Sequence, residues 1–555
     1  MKNKTWLPLL MACGMAFFIY VGMKLAELRM PRYAVYEPTS ATFHASEGGL
    51  TSDEASAKLT YLFDLLRDRY VDTLNLRQLV EDAIPTIIGD LDPHSDYFPA
   101  EELQAVNEEL EGSFSGVGIQ FNIQQDTVMV IQVTSGGPAE RVGLMAGDRI
   151  VTVDDSTFTG KGINNQRVIK TLRGQKGTTV RLGIRRSTHD ELLHYDVVRD
   201  DISVESVVAQ YMVGDVGYIK VDNFGRNTYD EFFTALIRLK SRGVRGFLID
   251  LRGNGGGFME VCCQMVNEFL PRGSLIVYTE GVNSPRRDIK ADGRGNMQDD
   301  PVVVLIDEWS ASASEIFSGA IQDNDRGMVV GRRSFGKGLV QQQFELNDGS
   351  ALRITVSRYH TPSGRCIQKP YEMGEGEDYA MDLANRYERG EFYSADSIHL
   401  SDSLRFTTLG GRTVYGGGGI MPDIFVPSDT SYVTPYYNRC INLGLCYAFA
   451  FQYSDKNRSH LSSFNSYGAL DAHLRSAGLL NEFVRYAEAR AGQPDARTLG
   501  RSGKALERLI IAYIMRQTQN ENYFFRKFNS DDKTYLEGLR LLQEGLAWPG
   551  DEAEH

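Results

Sequence analysis

The sequence predicts a multidomain protein of α/β and α+β class, in which a small β-rich module precedes a larger α/β core and helical regions flank both. Three observations carry that reading. Between about 210 and 360, apolar runs such as "VRGFLIDLRG" and "PVVVLID" alternate with helix-length stretches such as "TYDEFFTALIRLKSRG". Crossovers of that length imply parallel strands covered by helices. Residues 114–200 instead hold short apolar strands separated by glycine-containing turns. Residues 52–112 and those beyond about 430 carry apolar side chains at helical spacing. With 555 residues, 42% hydrophobic and 24% charged, the chain can fill more than one core.

Taken in order, residues 6–23, "WLPLLMACGMAFFIYVGM", are apolar and follow Lys2 and Lys4. Such a helix spans about 27 Å, enough for a thin bilayer. No Ala-x-Ala site follows before Lys24, so residues 1–28 read as an uncleaved signal anchor. Lysines on the short N-terminal side hold that end inside and export the rest. The expectation is therefore an inner-membrane anchor with the bulk of the chain in the periplasm; a buried N-terminal helix is the competing reading. "SDEASAKLTYLFDLLRDRYVD" then sets Leu59, Leu62, Leu65 and Leu66 near helical period behind a cap at Ser52, within a helical region over 50–113. In the module 114–200, Gly116 and Gly118 leave the backbone of "SGVG" uncrowded. Successive amides there can converge on an anion such as a peptide carboxylate, with a plain glycine turn as the alternative. Ile119 begins the next strand, against which an extended peptide can pair. The α/β core occupies 201–427. Residues 428–555 are mostly helical, and their aromatic stripes read as packing faces.

Composition excludes several function classes. A formal charge of −14 without a basic stripe argues against nucleic acid as a partner. The six cysteines, at 13, 262, 263, 366, 440 and 446, form no CxxC pair. Neither a disulfide framework nor a metal or redox site is expected, although a Cys440–Cys446 bond is left open. No metal and no cofactor is implied. The sequence carries no further long apolar span of the kind a transporter needs. A homo-oligomer is left open.

The chemistry concentrates in "SASASEIFSGAIQD" (310–323), three serines at a helix start after "PVVVLID". Ser312 followed by Glu315 fits a capping box, which is its ordinary structural explanation. A hydroxyl at that point also sits beside the first helical amide, on Ala313, which has no intrahelical acceptor. A free amide at the positive end of a helix is where an oxyanion is stabilised. A second donor can come from "DLRGNGGG" (250–257), at a strand end of the same sheet. The serine needs a base, and no histidine lies between His194 and His360. Lys337 in "SFGKGLVQ" has apolar and glycine neighbours, so desolvation can lower its pKa and free its lone pair; a solvated loop lysine is the bland alternative. Gln341, four residues on, shares a strand face with Lys337 and orients the amine without adding charge. "GRRSFGKG" also fits G-x-x-x-x-G-K, but it lacks the closing Ser or Thr and precedes a strand rather than a helix, so a phosphate loop is rejected.

Together, "SASASEIFSGAIQD", "SFGKGLVQ", "DLRGNGGG" and "LDPHSDYF", with "TPSGRCIQ" and "GGGGIMPDIFVP", resemble the carboxy-terminal processing (tail-specific) proteases, the S41 serine peptidases with a Ser–Lys dyad. The resemblance runs over about 55–427 and leaves the tail uncovered. It implies a ClpP/crotonase-like peptidase core over 201–427 and a PDZ domain over 114–200. Ser312 is then the nucleophile, Lys337 the general base and Gln341 its support. The amides of Ala313 and Gly256 correspond to the oxyanion donors, and Gly116, Val117, Gly118 and Ile119 to the carboxylate-binding loop. The implied function is a cofactor-independent serine endopeptidase that takes free, unstructured C-termini of protein or peptide substrates and processes or degrades exported proteins. The alternatives are a non-catalytic PDZ scaffold and a different dyad hydrolase.

Overall fold

The computed structural model describes residues 51–549 apart from 125, 135, 146, 187, 188, 375 and 400. Residues up to Asp82 and residues from Ala83 onward form two separate units. In the first, helix Ser52–Arg69 is capped by Thr51 rather than Ser52. The Glu54 N–H donates to the Thr51 hydroxyl oxygen, and the Thr51 N–H donates back to the Glu54 carboxylate. Only Thr51 has an acid three residues on, as a reciprocal box requires; Ser52 has Ala55 there.

The second unit is built on a six-stranded sheet. Val216–Val221, Gly246–Asp250, Val302–Ile306 and Met328–Gly331 run parallel, as the crossover lengths predict. The short parallel strand Ile424–Phe425 closes one edge, and the antiparallel strand Val207–Val213 closes the other. Helices cover both faces. Phe247 and Ile249 share a core with Phe232 of helix Thr228–Lys240 and Phe317 of helix Ala313–Asp323. Leu248, between them, points to the opposite core, with Val303, Leu305 and residues of the last helix, Lys533–Glu544. Burial on both faces is why these strands read as unbroken apolar runs.

A second sheet packs beside the first. It joins Asp96–Phe98, Leu339–Glu345, Ala351–His360 and the hairpin of Leu275–Gly281 with Ser284–Lys290. The sequence pattern does not announce that hairpin, because "SPRRDIK" is mostly exposed and charged.

The β-rich module is entered and left through a two-stranded ribbon. Ser113–Gly116 pairs antiparallel with Asp200–Ser203, and the Val204 N–H donates to the Gly112 carbonyl at 2.8 Å. Its sheet runs in the order Ile119–Gln124, Thr127–Val133, Arg149–Val153, Thr179–Arg185, Leu193–Val198, with Ile119–Gln124 at an edge. Val130, Ile150 and Leu182 pack on Val168 and Leu172 of helix Asn165–Leu172. The helices between Pro435 and Thr518 surround their own core, which includes Phe449, Phe483 and Leu506. Cys440 and Cys446 lie there as buried free thiols, so the disulfide left open is not formed.

One expectation is corrected. Among the described residues no helix is long and apolar enough to cross a membrane, against the inner-membrane anchor and the periplasmic placement that followed from it. The segment 6–23 on which both rested lies outside the described residues.

Candidate active site

The turn after strand Val302–Ile306 distinguishes the three serines. Ser310 Oγ donates to the Leu251 carbonyl at 2.9 Å and accepts from the Asp307 N–H at 3.0 Å. Ser314 Oγ donates to the Asn254 carbonyl at 2.9 Å. Both hydroxyls therefore fasten the helix start to the "DLRGNGGG" loop. Ser312 lies between them, with φ 55° and ψ −113° in place of the extended backbone of an ordinary cap, and the Glu315 N–H donates to its backbone carbonyl at 2.9 Å. A non-glycine residue held in that region costs on the order of 1–3 kcal/mol and needs a surrounding structure that fixes it.

Glu315 supplies that structure. Its buried carboxylate accepts from the Ser312 N–H at 2.9 Å, the Gly336 N–H at 2.8 Å, the Lys337 N–H at 2.9 Å and the Ser334 hydroxyl. One side chain thus fastens the serine turn to the lysine loop. Burial pushes its pKa up to about 7 against these four donors. Tyr359, also buried, makes a second tie: its hydroxyl donates to the Lys337 carbonyl at 2.6 Å and lies 3.1 Å from the Ser312 carbonyl.

Ser312, Lys337, Gln341 and Gly256 line one cleft of about 810 Å³, together with His94 and Arg353. Gly336, at φ +93°, occupies a backbone conformation that favours glycine, and a Cβ there would lie a tight 3.2 Å from Gly419 N and from Lys369 Cβ. Burial holds the Lys337 amine below the ordinary lysine value, and the Arg353 charge adds to the effect, while Glu315 and Asp92 oppose it. Gln341 stands beyond a bulge between Val340 and Gln341, so the simple alternation from Lys337 is broken. Its amide donates to Thr355 Oγ1 at 3.2 Å, and that hydroxyl donates to Asp92 Oδ1 at 3.0 Å. His94 Nε2 lies 2.7 Å from the Tyr379 hydroxyl, and burial, with the Lys337 charge, holds its pKa down at about 4. His94 is therefore neutral near pH 7.

The glycine loop separates two candidate donors. Gly256, at φ +108°, abuts the Ser312 turn: a Cβ would fall 2.7 Å from Ser312 Cβ and 3.0 Å from Ala313 N. Its own N–H, however, donates to Asn254 Oδ1 at 2.8 Å. The N–H groups of Gly257 and Ala313 have no acceptor among the described residues. In the β-rich module, the Val117 carbonyl accepts from Ala139 N–H at 2.9 Å and the Gly118 carbonyl from Thr134 N–H at 3.0 Å. Gly116 ends one strand, Ile119 begins the edge strand, and the amides of Val117 and Gly118 between them have no acceptor among the described residues.

Residues 215–376 match peptidase family S41 and residues 115–197 match the PDZ domain. A carboxy-terminal-processing protease of Bartonella bacilliformis is 35% identical over 382 residues, covering 67% of this chain and 84% of the relative. The chain belongs to peptidase family S41. Another S41 relative, the Bacillus subtilis carboxy-terminal processing protease CtpA, is 31% identical over 350 residues, covering 61% of this chain and 74% of its own. Among solved structures, the photosystem II D1 C-terminal processing protease is 26% identical with a TM-score of 0.36, covering 67% of this chain and 86% of that one. In this S41 peptidase, residues 436–520 also match a family of unknown function.

The motifs mark Glu315 only as a cap and assign no role to Tyr359, His94 or Arg353. For His94 the available signal was the "LDPHSDYF" segment, a polar cluster interrupting a helical pattern. Tyr359→Phe keeps the ring and removes the second tie between the Ser312 and Lys337 segments. It is expected to lower kcat about tenfold with KM unchanged, and to cost about 1–3 kcal/mol of stability. Steady-state kinetics and thermal melts on the variant check both.

Proposed function

We propose that Ser312 is the nucleophile and Lys337 the general base of a serine endopeptidase that processes C-terminal tails. The observation that carries the reading is the division of labour among the serines: Ser310 and Ser314 are tied to backbone carbonyls, while Ser312 sits strained on the cleft it shares with a lysine of lowered pKa. Neutral Lys337 takes the Ser312 proton as the oxygen attacks a peptide carbonyl. The resulting oxyanion is met by the amides of Ala313 and Gly257, because the Gly256 amide is already committed to Asn254. Protonated Lys337 donates to the leaving amine, and a water deprotonated by the same lysine hydrolyses the acyl group. Gln341, whose amide is held by Thr355 and which lines the same cleft, is assigned the role of confining the amine without adding charge.

In the same proposal the core is of ClpP/crotonase-like type, supported by a parallel sheet whose strand ends carry the site. The proposed domains are 114–200, 201–427 and 428–555, the last of which sends its final helix onto the core sheet. The PDZ loop of Gly116, Val117, Gly118 and Ile119 receives the substrate's terminal carboxylate, supported by the unpaired Val117 and Gly118 amides beside an edge strand.

Matched substrate peptides ending in a free acid and in an amide test tail reading. The amide removes the terminal charge and leaves every internal bond unchanged. kcat/KM is expected to fall between about tenfold and a hundredfold, the range for losing a charge-assisted hydrogen-bond cluster. Equal kcat/KM for the two peptides means that no terminal carboxylate is read.

A further inference from the structure

The sequence assigns no role to the final segment, and the family matches stop at residue 520. The structure shows it to be part of the peptidase core. Tyr535, Leu539 and Leu541 share one buried cluster with Tyr218, Leu248, Val303 and Leu305 of the central strands. Gly538 marks the closest approach, since a Cβ there would fall 2.6 Å from Leu248 Cδ1 and 2.9 Å from Leu305 Cδ2.

The turn Asn529–Asp531 that precedes this helix brings two polar side chains onto Arg252. Asp532 Oδ1 accepts from Arg252 Nη1 at 2.6 Å, and Asn529 Oδ1 accepts from Nη2 at 3.2 Å. The rest of the guanidinium grips Asp250, with Nε at 2.9 Å and Nη2 at 2.6 Å. Tyr218 donates to the same Asp250 carboxylate at 2.7 Å, and Asn529 Nδ2 donates to the Tyr218 hydroxyl at 3.1 Å. Arg252 is thereby held from two sides, by the sheet and by the end of the chain.

Arg252 is also the residue from which the glycine loop departs. Its carbonyl accepts from Lys220 Nζ at 2.8 Å, and the next amide, Gly253 N–H, donates to Asp307 at 2.9 Å. Gly253, Gly256 and Gly257 have φ of +71°, +108° and +145°. A loop of such residues has little conformational preference of its own, so its anchor points set where its amides lie.

We propose that Asp532 and Asn529 are positioning residues for the peptidase site: by fixing Arg252 they place the loop whose Gly257 amide meets the oxyanion. The inference rests on the assignment of that loop under the proposed function. Misplacing a donor by a fraction of an ångström weakens transition-state binding and leaves ground-state binding alone.

Asp532→Asn in the full chain isolates the effect. Asp532 also caps the last helix through the Tyr535 N–H at 2.8 Å, and asparagine caps equally well, so the variant removes the negative charge that faces Arg252 and keeps the cap. kcat is expected to fall about tenfold or more with KM within twofold. Affinity for a peptide aldehyde of the substrate sequence, whose adduct carries an oxyanion, is expected to fall in parallel with kcat. Asn529→Ala is expected to act in the same direction, and Asp532→Glu to recover part of the loss. Wild-type kcat and aldehyde affinity in Asp532→Asn overturn the inference, as does a loss confined to KM or to thermal stability. If Ser312→Ala still cleaves, or the unmodified enzyme does not bind the aldehyde, the reading of the site fails instead.

Discussion

Ser312→Ala is expected to abolish peptide cleavage, lowering kcat by about five orders of magnitude, because losing the nucleophile of a catalytic unit removes nearly all its rate enhancement. The fold is expected to survive. The Glu315 N–H bonds the Ser312 carbonyl, and the ties to Glu315 and Tyr359 run through the Ser312 backbone N–H and carbonyl. Removing one oxygen also leaves the strained backbone as it was. Ser310→Ala is the internal control: it loses the bonds to Leu251 and Asp307 and so gives up stability, yet it keeps the nucleophile. Peptide turnover alongside circular-dichroism melts separates the two. An active Ser312→Ala beside a dead Ser310→Ala would falsify the assignment.

Lys337→Arg is expected to lower activity by about three orders of magnitude, the usual weight of a general base. Arginine keeps the positive charge but holds its proton at any pH the enzyme meets. Under the proposed mechanism, activity in the unmodified enzyme depends on the neutral amine. Burial first, and then Arg353, hold the Lys337 pKa below its ordinary value. Activity therefore rises as pH rises through that lowered pKa. Glu315, pushed up to about 7, loses its proton in the same direction and restores the acceptor for the Ser312 and Lys337 amides. Both groups shape one rising limb. The lowered amine pKa also bears on stability: the folded state is harder to protonate than the unfolded chain, so the penalty is full below the folded pKa and vanishes above the unfolded one. Lys337→Met is thus expected to be inactive yet to melt no earlier than the parent near neutral pH. Near-normal turnover in Lys337→Arg removes the general-base role.

How far the sequence could be read depended on how local each determinant is. The parallel strands were legible because burial on both faces leaves unbroken apolar runs such as "PVVVLID". Ser312 and Lys337, which the fold brings to one cleft, stand out in the sequence because helix starts and glycine-flanked loops have short signatures. The choice between Gly256 and Gly257 was not legible: consecutive glycines look alike, and what separates them is the hydrogen bond from Gly256 to Asn254. Gln341 was found by strand alternation, but a bulge intervenes and its amide turns to Thr355. Tyr359 and His94 reach the cleft from chain segments 22 residues after and 243 residues before Lys337 (359 − 337 and 337 − 94), through the second sheet and a polar turn; "LDPHSDYF" marks His94 as part of a polar cluster, but no local pattern encodes that either residue meets Lys337. The cap at Thr51 fell one residue from the expected Ser52, for want of an acid three residues beyond Ser52.

The ribbon at the base of the PDZ module has a topological consequence. Gly112 and Val204 are joined by a direct hydrogen bond, so the chain returns to the place it left after some ninety residues. To the core sheet, the whole module is no more than a long hairpin loop. A domain attached in that way can be exchanged for another with a similar spacing between its ends without re-routing any core strand. Loop-closure entropy grows only logarithmically with the length inserted, which keeps such a graft inexpensive. Tail recognition and bond cleavage can therefore diverge independently within one chain.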